Sequence, residues 1–124
     1  MNYLEELALL IAEECGDTYS NNEWLQSTMD AQLWLGYAAL ANSRGIVVTS
    51  RDVHDVWAAW ATIYNPTHPS IVPWHQLPPE VQAKDDMYRD AIRLIATRTR
   101  QHTGAVAIPR EQGVNPGWRK DGKI

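Results

Sequence analysis

The sequence predicts an all-α fold: a compact four-helix domain, with a proline-rich loop between the third and fourth helices and a flexible C-terminal tail. Three observations agree on it. Apolar residues recur at helical spacing in four separate stretches. Start and stop signals flank those stretches. The prolines fall between or at the start of helices, where a missing N–H does no harm.

The first helix is expected over residues 3–14, with Leu4, Leu7, Ala8, Ile11 and Cys15 along one face and Gly16 ending it. Asp17 to Asn22 form a polar connector. The second helix, residues 23–43, sets Met29, Leu33, Gly36, Tyr37 and Leu40 in a stripe that Trp34, Ala38 and Ala41 widen, so it is expected to make contact on two sides. Asn42-Ser43-Arg44-Gly45 stops it. Ile46-Val47-Val48 is too short and isolated for a sheet and is read as an extended link. Thr49-Ser50-Arg51-Asp52 resembles a capping box, in which a Thr hydroxyl accepts from the N3 amide and an acidic N3 side chain reciprocates.

The third helix is expected from about Ser50 to Tyr64, with Val53, Val56, Trp57, Trp60 and Tyr64 on one side. Asn65-Pro66 breaks it, because the residue before proline is pushed out of the helical region. Pro66, Pro69 and Pro73 stiffen the loop through Gln76. Pro78-Pro79 opens the fourth helix, whose inward face is Val81, Tyr88, Ala91, Ile92 and Ile95 and which frays after Thr97. From His102 to 124 glycine, proline and charge replace periodicity, which reads as a tail that is flexible or docked on a partner through Trp118.

Composition narrows the function. A chain of 124 residues fits one domain, and a single cysteine excludes an internal disulfide or a thiolate metal cage. One thiol and the absence of a signal-peptide pattern lead us to expect a cytoplasmic protein. No apolar run reaches the roughly 18 residues of a membrane span. Net charge is -4, and residues 1–43 hold seven acidic and no basic side chains, so neither nucleic acid nor a membrane is the expected partner. All 11 basic residues follow from Arg44 onward, which leaves the C-terminal half open to a small anion. Six Trp and five Tyr stand beside no Phe. Such polar-tipped aromatics suit half-wet pockets and interfaces.

The block from Val53 to Ile95 carries the most specific signal. His54 and Trp57 lie three apart on one helix, His68-Pro-Ser-Ile-Val-Pro-Trp74 forms the loop, Leu77-Pro78 starts the next helix, and Asp85 follows in its second turn. This block resembles the RyR domain, first described as a repeat of ryanodine receptors. The RyR-like core is about residues 50–97 within a single helical domain of residues 1–101. Trp74 stands where that family has Tyr, Asp85-Asp86 replaces its Asp-Arg pair, and Thr97 to Arg100 replaces its Leu-Gly-Tyr ending. The resemblance implies recognition of adenine-nucleotide-like ligands, including cyclic ADP-ribose and the cyclic nucleotide signals of prokaryotic immunity.

The candidate ligand-binding residues are then His54, Trp57, Trp60, His68, Trp74, Asp85 and Arg89. Each has a plainer alternative. His54 either donates to a ligand or bonds the loop after its helix; His68 either meets a ligand or caps a turn. The three indoles are stacking faces or core, with Trp57 favoured as core and Trp74 as the more exposed. Arg89 clamps a phosphate or is neutralised by Asp85 four residues before it; Lys84 and Arg51 are its alternatives. Trp34 and Tyr37 either close the pocket or belong to the core.

No metal-ligand spacing, phosphate loop or nucleophile elbow is present in the sequence, and Cys15 lies among acidic residues that disfavour a thiolate. The expected function is therefore binding without catalysis or cofactor; the resemblance implies that what is bound is a nucleotide-derived immune signal, captured as by a phage-encoded sponge, and a homodimer is the expected assembly. Two other readings remain: a protein–protein interaction or dimerisation module without a small ligand, and a hydrolase using His68 as acid–base with Asp85 orienting it.

Overall fold

The computed structural model describes residues 2–17 and 28–102, and within them the protein is all helical, as expected. In chain order these are α1 (Tyr3–Glu14), α2 (Thr28–Ser43), a 3-10 turn (Gly45–Val47), α3 (Ser50–Tyr64), a second 3-10 turn (Trp74–Gln76), the single-turn helix α4 (Pro79–Gln82) and α5 (Lys84–His102). The expected helical start at residue 23, the connector from 18 onward and the Trp118 tail lie outside the described residues.

Local chemistry explains each boundary. Asn2 caps α1: its Oδ1 accepts from the Glu5 amide at 2.9 Å and the Glu5 carboxylate accepts from the Asn2 amide at 2.8 Å. At the other end Gly16 takes φ +93°, which brings its own amide to the Glu13 carbonyl at 3.0 Å and that of Asp17 to the Ala12 carbonyl at 2.9 Å. These two bonds satisfy carbonyls that the helix end leaves open. Thr49 caps α3 in the expected capping box, with its hydroxyl 3.1 Å from the Asp52 amide and the Asp52 carboxylate 2.9 Å from the Thr49 amide. Arg44 holds that carboxylate from behind at 3.1 Å.

Three expectations need correction. Residues 45–47 curl into a 3-10 turn rather than an extended link, because Gly45 takes φ +59° at the end of α2 and the amides of Val47 and Val48 bond back to Arg44 and Gly45. The helix opened by Pro78-Pro79 is interrupted at Ala83, so α4 and α5 are separate. α5 does not fray at Thr97 but continues to His102, with the hydroxyls of Thr97 and Thr99 bonding back to the carbonyls of Arg93 and Ile95.

α2 is the central helix: it packs on α1, α3 and α5, which accounts for its wide apolar surface. Tyr37, Ile11, Ile92, Ile95, Val48 and Val53 are the largest fully buried side chains, drawn from α1, α2, the link before α3, α3 and α5. Each such aliphatic side chain contributes on the order of 1.5–3 kcal/mol by leaving water. Trp34, Tyr37 and Tyr88 form an aromatic cluster with centroids 5.5–6.1 Å apart. Trp34 and Tyr37 are thus core residues and do not close a pocket. Met29 and Tyr64, which share the apolar stripes of their helices, are exposed.

Candidate functional site

The candidate residues of the Val53–Ile95 block divide between an internal brace and an open groove. His54 is buried in α3, and its Nε2–H donates to the Val72 carbonyl at 2.7 Å. Its ring stacks on Trp57 at 5.7 Å, and Trp57 meets His68 edge-on at 5.0 Å. His68 turns back on its own loop: Nδ1 accepts the Ser70 amide at 3.0 Å, which places the proton of the neutral ring on Nε2. His54, Trp57 and His68 therefore form one ladder that fastens the proline-rich loop to α3. The plainer alternatives for both histidines are the ones the geometry displays. Trp57 is half-buried rather than core.

Beyond the ladder the loop delivers Trp74 to the rim of a groove of about 580 Å³. Its walls are the start of α3 (Thr49, Ser50, Arg51), the turn at Trp74, α4 with Gln82, and one face of α5 carrying Asp86, Arg89 and Arg93. That volume lies in the usual range for small-molecule sites, roughly 300–1,000 Å³. Gln82 pins the turn by donating to the Trp74 carbonyl at 3.0 Å. The Trp74 indole is half-buried, and its Nε1 is fully covered with no hydrogen-bond partner among the described residues.

Groove electrostatics centre on Asp86. Its Oδ1 accepts the Ser50 hydroxyl at 2.6 Å and Arg89 Nη1 at 3.3 Å, while Arg89 Nε holds Asp90 at 2.9 Å. Those two carboxylates hold the Arg89 guanidinium above its ordinary range, the Asp90 hydrogen bond being the largest cause. The alternative pairing of Arg89 with Asp85 does not occur: Arg89 is neutralised instead by Asp86 and Asp90. Arg93 Nε donates to the Val48 carbonyl at 2.9 Å. Neither Arg93 nor Arg51 makes a salt bridge among the described residues.

Asp85 points elsewhere. It is half-buried, and its pKa is pushed up to about 6, chiefly by burial, with His54 opposing and Asp86 adding to the rise. No hydrogen bond joins it to His68, whose Nδ1 is taken by the Ser70 amide. Burial, then Asp17 and Glu14, push the Cys15 thiol up to about 11, far from thiolate chemistry at neutral pH. Among the described residues no three metal-ligating side chains come together, and no helix is long and apolar enough to cross a membrane.

Trp60 lies away from the groove. Its Nε1 donates to the Met29 carbonyl at 2.8 Å and its ring packs on Tyr64 at 5.4 Å. It borders a second hollow of about 520 Å³ between α2 and α3, lined by Gln32, Gly36, Leu40, Val56, Ala59 and Ile63 among others.

Of the seven candidates the groove thus unites two, Trp74 and Arg89. Ser50, Gln82, Asp86 and Arg93 were not anticipated there, and Arg51 only as an alternative to Arg89. Part of the signal is in the sequence: Asp86, Arg89 and Arg93 follow one another by three and four residues, a polar stripe down one face of α5, and Gln82 on α4 stands four residues before Asp86. A family model described as a domain of unknown function (DUF7701) matches residues 2–97, which include every residue of the groove. No curated protein and no solved structure matches the chain.

Proposed function

The chain belongs to the DUF7701 family of domains of unknown function, and we propose that it binds a nucleotide-derived small molecule in the groove between α3, Trp74 and α5. The observation that carries this reading is the convergence of one indole and three guanidiniums, those of Arg51, Arg89 and Arg93, on one open hollow of nucleotide size. An indole face stacks a base for roughly 1–3 kcal/mol, and arginine forks suit phosphate oxygens. The braced loop needs no reordering to present Trp74, which limits the entropy lost on binding. The RyR likeness supports the same ligand class. Under this proposal His54, Trp57 and His68 act by holding the loop, Trp74 meets the base, Arg51 and Arg93 meet the phosphates, and Arg89, paired with Asp86 and Asp90, positions the groove around them.

In this reading the ligand is held intact, and the protein acts by sequestering a signal such as cyclic ADP-ribose, in the manner of a phage sponge against host defence. Isothermal titration with ADP-ribose, cyclic ADP-ribose isomers and cyclic dinucleotides tests it. Saturable heat that Trp74→Ala and Arg93→Ala each abolish, with the ligand recovered unchanged after denaturation, is the expected result. A flat trace across the panel overturns the proposal.

The hollow between α2 and α3 favours a second reading, self-association. None of its lining residues is charged; Ile63 in its wall is 69% exposed, and Met29, whose carbonyl accepts from Trp60, is 46% exposed. An uncharged apolar face lets two copies of an acidic chain meet without repulsion. Light scattering of wild type against Ile63→Asp reads it directly: a dimer that the substitution splits supports it, and a wild-type monomer removes it.

A further inference from the structure

We propose that Asp86 is the receptor for a ribose diol, so that the groove takes ribonucleotides and discriminates against their deoxy counterparts; this rests on the nucleotide reading above. A carboxylate is out of place in a hollow that otherwise attracts phosphate, since it repels the same anion. Yet it is held there deliberately. Ser50 on α3 donates to its Oδ1 at 2.6 Å, and Arg89 approaches the same oxygen at 3.3 Å. Arg89 also lies 3.3 Å from the Ser50 hydroxyl and is anchored through Nε to Asp90. Two helices thus fix one carboxylate from two directions.

Oδ2 carries no hydrogen bond among the described residues, and the side chain is 48% exposed. An ionised carboxylate only accepts hydrogen bonds. The matching ligand group must therefore supply O–H or N–H donors, and a vicinal diol supplies two side by side. An acidic side chain fulfils this role for the ribose of dinucleotides in other folds.

The remaining cations fall into place around it. Arg89 is occupied by Asp86 and Asp90 and acts as a positioning residue. Arg51 and Arg93, in no salt bridge among the described residues, are left for the phosphates, and Trp74 for the base. The groove then reads a ligand in three parts: flat ring, diol and anion.

The test is titration of ADP-ribose and of its two analogues deoxygenated at one ribose or the other, into wild type and Asp86→Asn. For wild type one analogue should bind roughly 10- to 100-fold more weakly than ADP-ribose, the worth of hydrogen bonds to a charged group. In Asp86→Asn, shown to be folded by its melting curve, parent and analogue should bind alike. Equal binding of all three ligands by wild type overturns the inference, as does discrimination that survives in Asp86→Asn or a failure of ADP-ribose to bind. If the wider panel still binds, only the diol assignment falls; if the whole panel is silent, the nucleotide reading falls with it.

Discussion

Asp85 and Asp86 are adjacent carboxylates with different fates, because one residue along a helix turns the side chain by about 100°. Asp86 reaches Ser50 and Arg89 at the groove; Asp85 turns toward His54 and is half-buried. Sequence motif alone favours Asp85, and side-chain direction reverses the choice. The displaced pKa of Asp85 has a consequence for stability. Its folded value of about 6 exceeds the ordinary 3.8, so between those values the folded state holds the extra proton. Stability from this group is full below about pH 4 and is lost as pH rises through about 6. Asp85→Asn should therefore melt above wild type at pH 7, with the gap closing toward pH 4. A gap constant across that range, or a lower melting temperature at pH 7, contradicts the assignment.

The helices themselves were legible for concrete reasons. Thr49 and Asp52 spell a capping box, Gly16 and Gly45 stop two helices at positive φ, and Asn65-Pro66 ends α3. What sequence could not reveal is contact across elements: that Arg89 abandons Asp85, that Ser50 meets Asp86 from 36 residues away, and that α4 and α5 break at Ala83. Thr49→Ala removes the cap of α3 and should cost about 1 kcal/mol by chemical denaturation. It should also weaken ligand binding, since Thr49 and Ser50 form one wall of the groove. Gly36 lies where α2 packs on α3: a Cβ there would lie 2.6 Å from Val56 Cγ1. Val56 cannot turn away freely, because a β-branched side chain in a helix has one favoured rotamer. Overpacking of about 1–3 kcal/mol outweighs the helix-propensity gain of about 1 kcal/mol. Gly36→Ala should thus lower the melting temperature, and adding Val56→Ala should recover part of the loss.

At the scale of the molecule, two motifs that look like one site in sequence separate into brace and binding surface. His54, Trp57 and His68 lock the loop to α3, while the same loop carries Trp74 to the groove. Trp60 lines the hollow between α2 and α3, and Trp34 is buried in the core. The indoles are thus natural reporters of where a ligand sits. Their N–H resonances in a nitrogen–proton correlation spectrum, with Trp74 assigned through Trp74→Phe, test the groove most directly. On titration with ADP-ribose or cyclic ADP-ribose, the Trp74 indole resonance should shift to saturation while that of Trp60 stays in place. A spectrum unchanged at saturating nucleotide, or one in which Trp60 moves and Trp74 does not, would contradict a binding groove between α3 and α5.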